Sequence, residues 1–380
     1  METNFVTKSE NPNMSKKRLF FLLFSMNVGG VEKSLLGLLD TLSPEEYEVH
    51  VGLLQRKGGF LGMLPEWVVL HDCCRGGWDM LHEPPLQIIM ENVKNAHFVL
   101  AIRLLFGYLV YKMTKDWTIY YNAVLKNEEE IECDFDAAYA YAGPATIIDY
   151  YICRKIRAKE KYGWIHFDVT RVWIDREMTS QLYKEYKKIF IVSETAKMKF
   201  DAFFPEFRNK TEVRYNIVSK EKILFLSKSG NTFDDNFEGV RILTVGRLSK
   251  EKGQDVTVIA LKKLVEKSMN VKWYYVGDGD LLQQCKQLAK EEGVDDRTVF
   301  LGLCSNPYGY MRDCDIYVQP SRHEGYCITL EEARCFNVPI VATDFAGAKE
   351  QLTTYSAGKV VGFSAEDIAN GIISLLGSQQ

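Results

Sequence analysis

The sequence is poor in the features that mark metal-binding, nucleic-acid-binding and membrane-spanning chains. Its nine cysteines form no CxxC pair and no Cys/His set at zinc spacing, which excludes the common structural zinc sites. An odd number of cysteines in a chain of 380 residues reads as reduced thiols in a cytoplasmic compartment rather than a disulfide framework. Positive charge is not in excess: the net charge is −4, so no polycationic surface invites nucleic acid. Low-complexity segments and short repeats are missing as well. No apolar run is long enough to span a bilayer. LFFLLFSM, after Lys16-Lys17-Arg18, imitates a signal peptide, but MNVGGVEKS stands where a small-residue cleavage site would be, and a buried first strand explains it better. FVLAIRLLFGYLVY, Phe98–Tyr111, has Arg103 near its middle and Lys94, Lys112 and Lys115 nearby. It is a core helix or an interfacial one. Its basic residues do not gather on one helical face, which favours the core.

What remains is ordinary globular composition, with 46 % hydrophobic and 26 % charged residues and length enough for two separate cores. RLFFLLFSM, YEVHVGLL, VVLH, FDAAYAYAG, GWIH, KIFIVSE and VRYNIV read as strands, with VEKSLLGLLDTL and ATIIDYYICRKI as helices among them. Residues 84–130 read as a helical insertion. The pattern restarts with VRILTVG and runs strand, helix, strand through VKWYYVG, TVFLG, IYVQPS and PIVAT. Strands alternating with helices predict parallel sheets covered on both faces. The expected architecture is α/β: a doubly wound, Rossmann-like domain at 1–218, a linker at 219–238 and a second such domain at 239–380, facing each other across a cleft.

In open parallel sheets ligands bind at the carboxyl ends of strands. Two loops leave such ends in the second half. RLSKEKG carries Arg247 and Lys252; RHEGYCITLEEA carries Glu324, Gly325 and the start of a helix that also holds Glu332. Two cations and a helix N-terminus with free N–H groups suit a diphosphate. Carboxylates beside a diphosphate would repel it, so Glu324 and Glu332 must serve uncharged hydroxyls. A diphosphate between two polyols is a nucleotide sugar, with one acid for the ribose and one for the sugar.

Glu324 and Glu332 also match the E-x7-E motif of retaining GT-B glycosyltransferases, glycosyltransferase family four. GGVE at Gly29–Glu32, WIH at Trp164–His166, VSE at Val192–Glu194, YN at Tyr215–Asn216, GRLSKEKG at Gly246–Gly253 and PIVATDFAGAKEQL resemble family features in family order. Bacterial capsule and exopolysaccharide glycosyltransferases are the most similar members. The resemblance implies that Arg247 and Lys252 hold the donor diphosphate, a uridine one being commonest in the family. It places the N–H groups of Tyr326, Cys327 and Ile328 on the same phosphates, Gly325 in the turn before them, Glu332 on the ribose and Glu324 on the donor sugar. Gly29 and Gly30 would let the backbone approach phosphate or acceptor, and His166 would lie near the reacting sugar. It further implies front-face attack with retention. The acceptor is expected to be a glycan or lipid-linked and no metal or other cofactor is expected, while an interfacial Phe98–Tyr111 helix would give peripheral contact at the inner face of the membrane. Two departures stand out. Cys327 replaces a frequent glycine, and the chain ends at SLLGSQQ where relatives usually continue into a long helix, which suggests truncation.

Blander readings compete. Thr329-Leu330-Glu331-Glu332 fits a capping box with Thr329 as N-cap. His166 could be a core histidine and Gly29-Gly30 only a tight turn. VGDGDLL imitates a dinucleotide fingerprint but has Leu282 at the third glycine position. Asp278-Gly279-Asp280 and Asp313-Cys314-Asp315 look like metal-binding pairs and read better as turns. The alternative functions are a nucleotide-sugar epimerase and a non-catalytic nucleotide-sugar-binding scaffold.

Overall fold

Runs of apolar residues too continuous to show one face to water become the central strands of two parallel sheets. The computed structural model describes residues 15–74, 84–125, 131, 133–171 and 174–377. The first sheet contains β1 (Lys17–Leu23), β2 (Tyr47–Leu53), β3 (Val69–Asp72), β4 (Phe135–Gly143), β5 (Ala158–Ile165), β6 (Lys188–Ile191) and β7 (Thr211–Val213) in the order β3-β2-β1-β4-β5-β6-β7. The second contains β8 (Val240–Val245), β9 (Val271–Val276), β10 (Thr298–Gly302), β11 (Ile316–Gln319), β12 (Ile340–Thr343) and β13 (Gly358–Val361) in the order β10-β9-β8-β11-β12-β13. Strand order therefore reverses between β1 and β4 in one sheet and between β8 and β11 in the other. Each reversal leaves a crevice at the strands' carboxyl ends.

The first lobe's helices are α1 (Gly30–Leu39), α2 (Pro85–Lys94), α3 (Phe98–Thr114), α4 (Thr118–Val124), α5 (Thr146–Lys155), α6 (Arg176–Tyr183) and α7 (Glu194–Phe203). The second lobe follows with α8 (Lys220–Leu226), α9 (Gln254–Glu266), α10 (Leu282–Glu291), α11 (Tyr308–Asp313), α12 (Ile328–Arg334), α13 (Ala348–Leu352) and α14 (Ala365–Gly377). Phe20, Leu22 and Leu23 of β1 are buried, as the signal-like run predicts for a first strand; each contributes about 2 kcal/mol through burial. Stacked rings cross the first sheet from Phe21 to Tyr139 to Tyr162 to Phe190 at centroid separations of 4.6, 5.0 and 5.5 Å, the side-by-side aromatic pairing that fixes strand register.

Three readings need correction. VRYNIV is not a strand beyond Val213; Tyr215 and Asn216 instead turn toward α13 and α1. Within the linker stretch, Ser219 accepts from the Lys222 N–H at 3.3 Å and starts α8, whose Ile223 packs in the second core. The Phe98–Tyr111 segment is helical as α3 but half-buried only: Ala101, Leu104 and Gly107 are buried in a cluster with α2 and α4, Leu100 and Tyr108 pack partly against it, and Phe98, Val99, Ile102, Leu105, Phe106 and Leu109 stand exposed. The Thr329 capping box is absent. α12 begins two residues after Tyr326 with Cys327 at its N-cap, so Thr329 lies inside the helix and donates to Gln319 Oε1 at 3.1 Å. Part of the expected insertion, 126–130, lies outside the described residues.

Candidate functional site at the meeting of the two lobes

The loops after β8 and β11 are knitted together by glycine and backbone. Gly253 is left-handed, with φ 74°, and a Cβ there would stand 2.2 Å from the Pro320 carbonyl oxygen, so only glycine closes the β8–α9 loop against the β11 end. The Glu251 carbonyl accepts from the Arg322 N–H at 2.7 Å, and Arg322 is held twice by Asp255 at 2.8 Å. This scaffold brings Lys252 onto Glu324 in a direct ion pair. Ser321 Oγ donates to the same Glu324 oxygen at 2.8 Å, and Gln319 Nε2 donates to Ser321 at 2.8 Å. Burial works against the Lys252 charge, but Glu324 outweighs it and holds the ammonium above its ordinary pKa. Arg247 is exposed and paired with Glu251 at 2.8 Å; its charge still acts on Lys252 from one side and on Glu32 of α1 from the other.

Glu332 lies on the far side of the same turn and is buried. Lys33 of α1 donates to both its oxygens, at 2.7 and 2.9 Å, and Tyr308 adds a bond of 2.8 Å. An acid expected to wait for ribose hydroxyls is thus occupied by a lysine from the opposite lobe. Glu32, the neighbour of Lys33, reaches back over its helix start: a Cβ on Gly29 would lie 2.6 Å from its Oε2. Burial raises its pKa to about 7, against the opposing pull of its own N–H and of Arg247. Glu32 closes the GGVE stretch, whereas Lys33 carries no signal in the sequence beyond following it. Their partners sit hundreds of residues away.

Gly30 faces the start of α12, its added Cβ falling 3.9 Å from Ile328 Cδ1. Gly325 is pressed against the first lobe, where a Cβ would stand 2.2 Å from the His166 carbonyl oxygen, and its own carbonyl accepts from Ser193 Oγ at 2.9 Å. The Cys327 N–H, expected on a phosphate, donates to Gln351 Oε1 at 3.1 Å. Cys327 has φ −85°, so the position makes no demand for glycine, and burial, with Glu324 beside it, pushes its thiol up to about 12. Tyr326 donates to Glu331 at 3.0 Å and packs near Tyr215.

His166 ends β5 and is buried against the Tyr141 and Trp164 rings, with neither ring nitrogen in a hydrogen bond of normal geometry. Burial lowers its pKa to about 3, a backbone contact to Tyr141 opposing slightly, so the ring is neutral. Tyr141 and Trp164 also line a cavity of about 110 Å³ with Ser34 and Tyr215. Asp278, Asp313 and Asp315 of the two Asp-x-Asp pairs make contacts within the second lobe. Asp278 accepts from the Gly279 N–H at 2.8 Å, Asp313 pairs with Arg312 at 2.7 Å, and Asp315 accepts from the Arg241 N–H at 2.7 Å.

Two doubly wound lobes that touch at their strands' carboxyl ends define the GT-B class of fold. Residues 234–380 match the family model of Glycosyl transferases group 1. Anabaena HepE in complex with UDP-glucose superimposes with a TM-score of 0.66 at 18 % identity, over 96 % of this chain and 90 % of that one. A Campylobacter jejuni N-acetylgalactosamine-N,N'-diacetylbacillosaminyl-diphospho-undecaprenol 4-alpha-N-acetylgalactosaminyltransferase is 31 % identical over 142 residues, 37 % of each chain. A Klebsiella pneumoniae 41.2 kDa protein in the cps region is 29 % identical over 178 residues, 45 % of this chain and 46 % of that one. The chain spans less than half the length of these curated relatives.

Proposed function

We propose that the chain transfers a sugar from a nucleoside diphosphate, with uridine as base, to a glycan or lipid-linked acceptor of a surface polysaccharide, with retention at the anomeric carbon. The observation that carries this reading is the Lys252–Glu324 pair at the crevice between β8 and β11, with Arg247 on the same loop. A bound diphosphate takes the two cations, which frees Glu324 for the hydroxyls of the attached sugar. The acceptor oxygen then bonds to the anomeric carbon as the bond from that carbon to the diphosphate oxygen breaks. The acceptor's proton passes to the departing diphosphate. Arg247 and Lys252 stabilise the charge that grows on the leaving oxygens, so no metal is required. Neutral His166, at the end of β5, contacts the sugar without charging.

Support for uridine comes from the HepE complex, and support for a lipid-linked acceptor from the Campylobacter relative's name. A panel of nucleotide sugars tests the reading. One donor should raise the unfolding temperature and be slowly hydrolysed to free sugar and nucleoside diphosphate, with or without EDTA. Binding without turnover would leave a nucleotide-sugar-binding scaffold, interconversion of the donor an epimerase, and no binding at all would remove the assignment.

A further inference from the structure

α3 is built inside out for a helix of a globular lobe. Its small residues, Ala101 and Gly107, face inward with Leu104, and α4 comes so close that a Cβ on Gly107 would meet the Tyr120 backbone at 2.7 Å. Val99, Ile102, Leu105, Phe106, Leu109 and Met113 all point outward, from 39 % exposed at Leu105 to 85 % at Met113. At about 100° per residue these six positions fall within an arc of roughly 120°. Met90 and Val93 of α2 extend the same apolar surface. Exposed apolar surface on this scale is uncommon on a soluble monomer.

The flanks of the arc identify its partner. On the same wheel Arg103 lies just beyond Val99, and Lys112 just beyond Leu105 on the opposite edge. Lys94 ends α2 and Lys115 caps the C-terminus of α3, and Lys112 and Lys115 lie over the rings of Tyr108 and Tyr111 at 5.3 and 5.7 Å. From residue 85 to 124 these four cations are offset by two acids, Glu91 and Asp116, in a chain whose net charge is −4. Apolar side chains bordered by cations on long stems, with tyrosines at the border, match the boundary between acyl chains and anionic headgroups. Among the described residues no helix is long and apolar enough to cross a membrane.

We propose that α3, with the adjoining face of α2, is a docking surface for an anionic lipid bilayer. The helix lies in the interface plane with Ile102, Phe106 and Leu109 below the headgroups and Arg103 and Lys112 paired to lipid phosphates. The proposal rests on this surface alone and is independent of the sugar-transfer reading.

Sedimentation of the purified chain with phosphatidylcholine vesicles, with and without phosphatidylglycerol, tests it. Binding to the anionic vesicles should be at least tenfold stronger and should weaken with added salt. Ile102→Glu with Phe106→Glu should stay in solution while keeping the wild-type unfolding temperature, since both side chains are exposed. Arg103→Gln with Lys112→Gln keeps the apolar arc and should bind at least tenfold more weakly, about fivefold per cation. Failure of the wild-type chain to sediment with anionic vesicles would overturn the proposal, as would unchanged sedimentation of the glutamate variant. A dimer in solution that the glutamate variant abolishes would also overturn it, by making the face a contact between copies. Donor hydrolysis by a chain that ignores vesicles would sink the docking surface and leave the transferase reading intact.

Discussion

Lys33→Met puts the arrangement of the site under direct strain. Glu332 is buried, and two of its three hydrogen bonds come from this one ammonium, at 2.7 and 2.9 Å. Removing one partner of a buried ion pair leaves an uncompensated charge and costs about 3–5 kcal/mol. Tyr308 remains on Oε1 at 2.8 Å, and the lysine is partly hydrated, so the lower end of about 3 kcal/mol applies. The ligand-free variant should therefore unfold several degrees below the wild type. Its response to UDP should run the other way. If Glu332 takes the ribose, as the family resemblance implies, the hydroxyls must first displace Lys33 in the wild type, whereas in the variant they meet a carboxylate with vacant lone pairs. A hydrogen bond to a charged group contributes about 1.5–3 kcal/mol, so UDP should bind about tenfold tighter and produce a larger rise in unfolding temperature. Calorimetric titration and thermal unfolding with and without UDP measure both. Glu332→Gln should weaken UDP at least tenfold. If Lys33→Met binds UDP no better than the wild type, Lys33 does not compete for the ribose position. If its ligand-free stability is unchanged, the inter-lobe pair contributes nothing.

Lys252→Ala and Glu324→Ala should each lower transfer by about a hundredfold or more, the loss expected for a charge-stabilising group. The double variant should lose little more stability than either single, because each leaves the other's half-buried charge unpaired; additive losses would refute the pairing. Glu32 gives a pH dependence. Its raised pKa means that the folded chain keeps a proton the unfolded chain releases, so stability falls as pH rises from about 4.5 to about 7 and the penalty is complete above 7. Glu32→Gln should be more stable than the wild type at pH 8 by up to about 3 kcal/mol. It should also flatten a decline in UDP affinity above pH 7; a variant with the wild-type slope would exclude Glu32. Gly325→Ala should push the lobes apart, because backbone stands 2.2 Å from the added Cβ. An unchanged radius of gyration by solution scattering would refute that contact.

The strands were legible because they are buried on both faces, and burial leaves an apolar run that turn residues bracket. Val271–Val276 and Ile340–Thr343 are of this kind. VRYNIV has the same look, yet its polar members serve contacts to α1 and α13, which periodicity cannot foresee. α6 and α7 went unread because REMTSQLY and ETAKMKFDAF bury only three or four side chains each. Both do carry N-cap signals, Asp175 accepting from Met178 N–H and Ser193 from Ala196 N–H, each at 3.1 Å. In α3 the sequence showed apolar residues at helical spacing but not which of them α2 and α4 would cover. The site divides in the same way. The meeting of the Lys252 loop with Glu324 was readable from strand ends, since loops at a reversal of strand order must converge. Lys33 was not, because its partner lies 299 residues away.

The contacts between the lobes differ in kind from those inside them. Each lobe buries its own apolar clusters, and of the second lobe's side chains Tyr326 reaches the first lobe's core. What joins the lobes is polar: Lys33 on Glu332, Ser193 on the Gly325 carbonyl, and Glu350 accepting from the Glu194 N–H at 3.1 Å and from Tyr215 at 2.6 Å. Hydrogen bonds of this sort contribute about 1 kcal/mol each after their exchange with water, so the closed contact is stable by a few kcal/mol rather than by tens. A nucleotide that supplies its own charges and hydroxyls to Lys252, Glu324 and Glu332 replaces much of what parting the lobes gives up. Its observed affinity is then the intrinsic affinity reduced by the fraction of open lobes. This is why two substitutions that touch no phosphate, Lys33→Met and Gly325→Ala, should both tighten UDP, whereas Lys252→Ala, which also loosens a local contact, should weaken it.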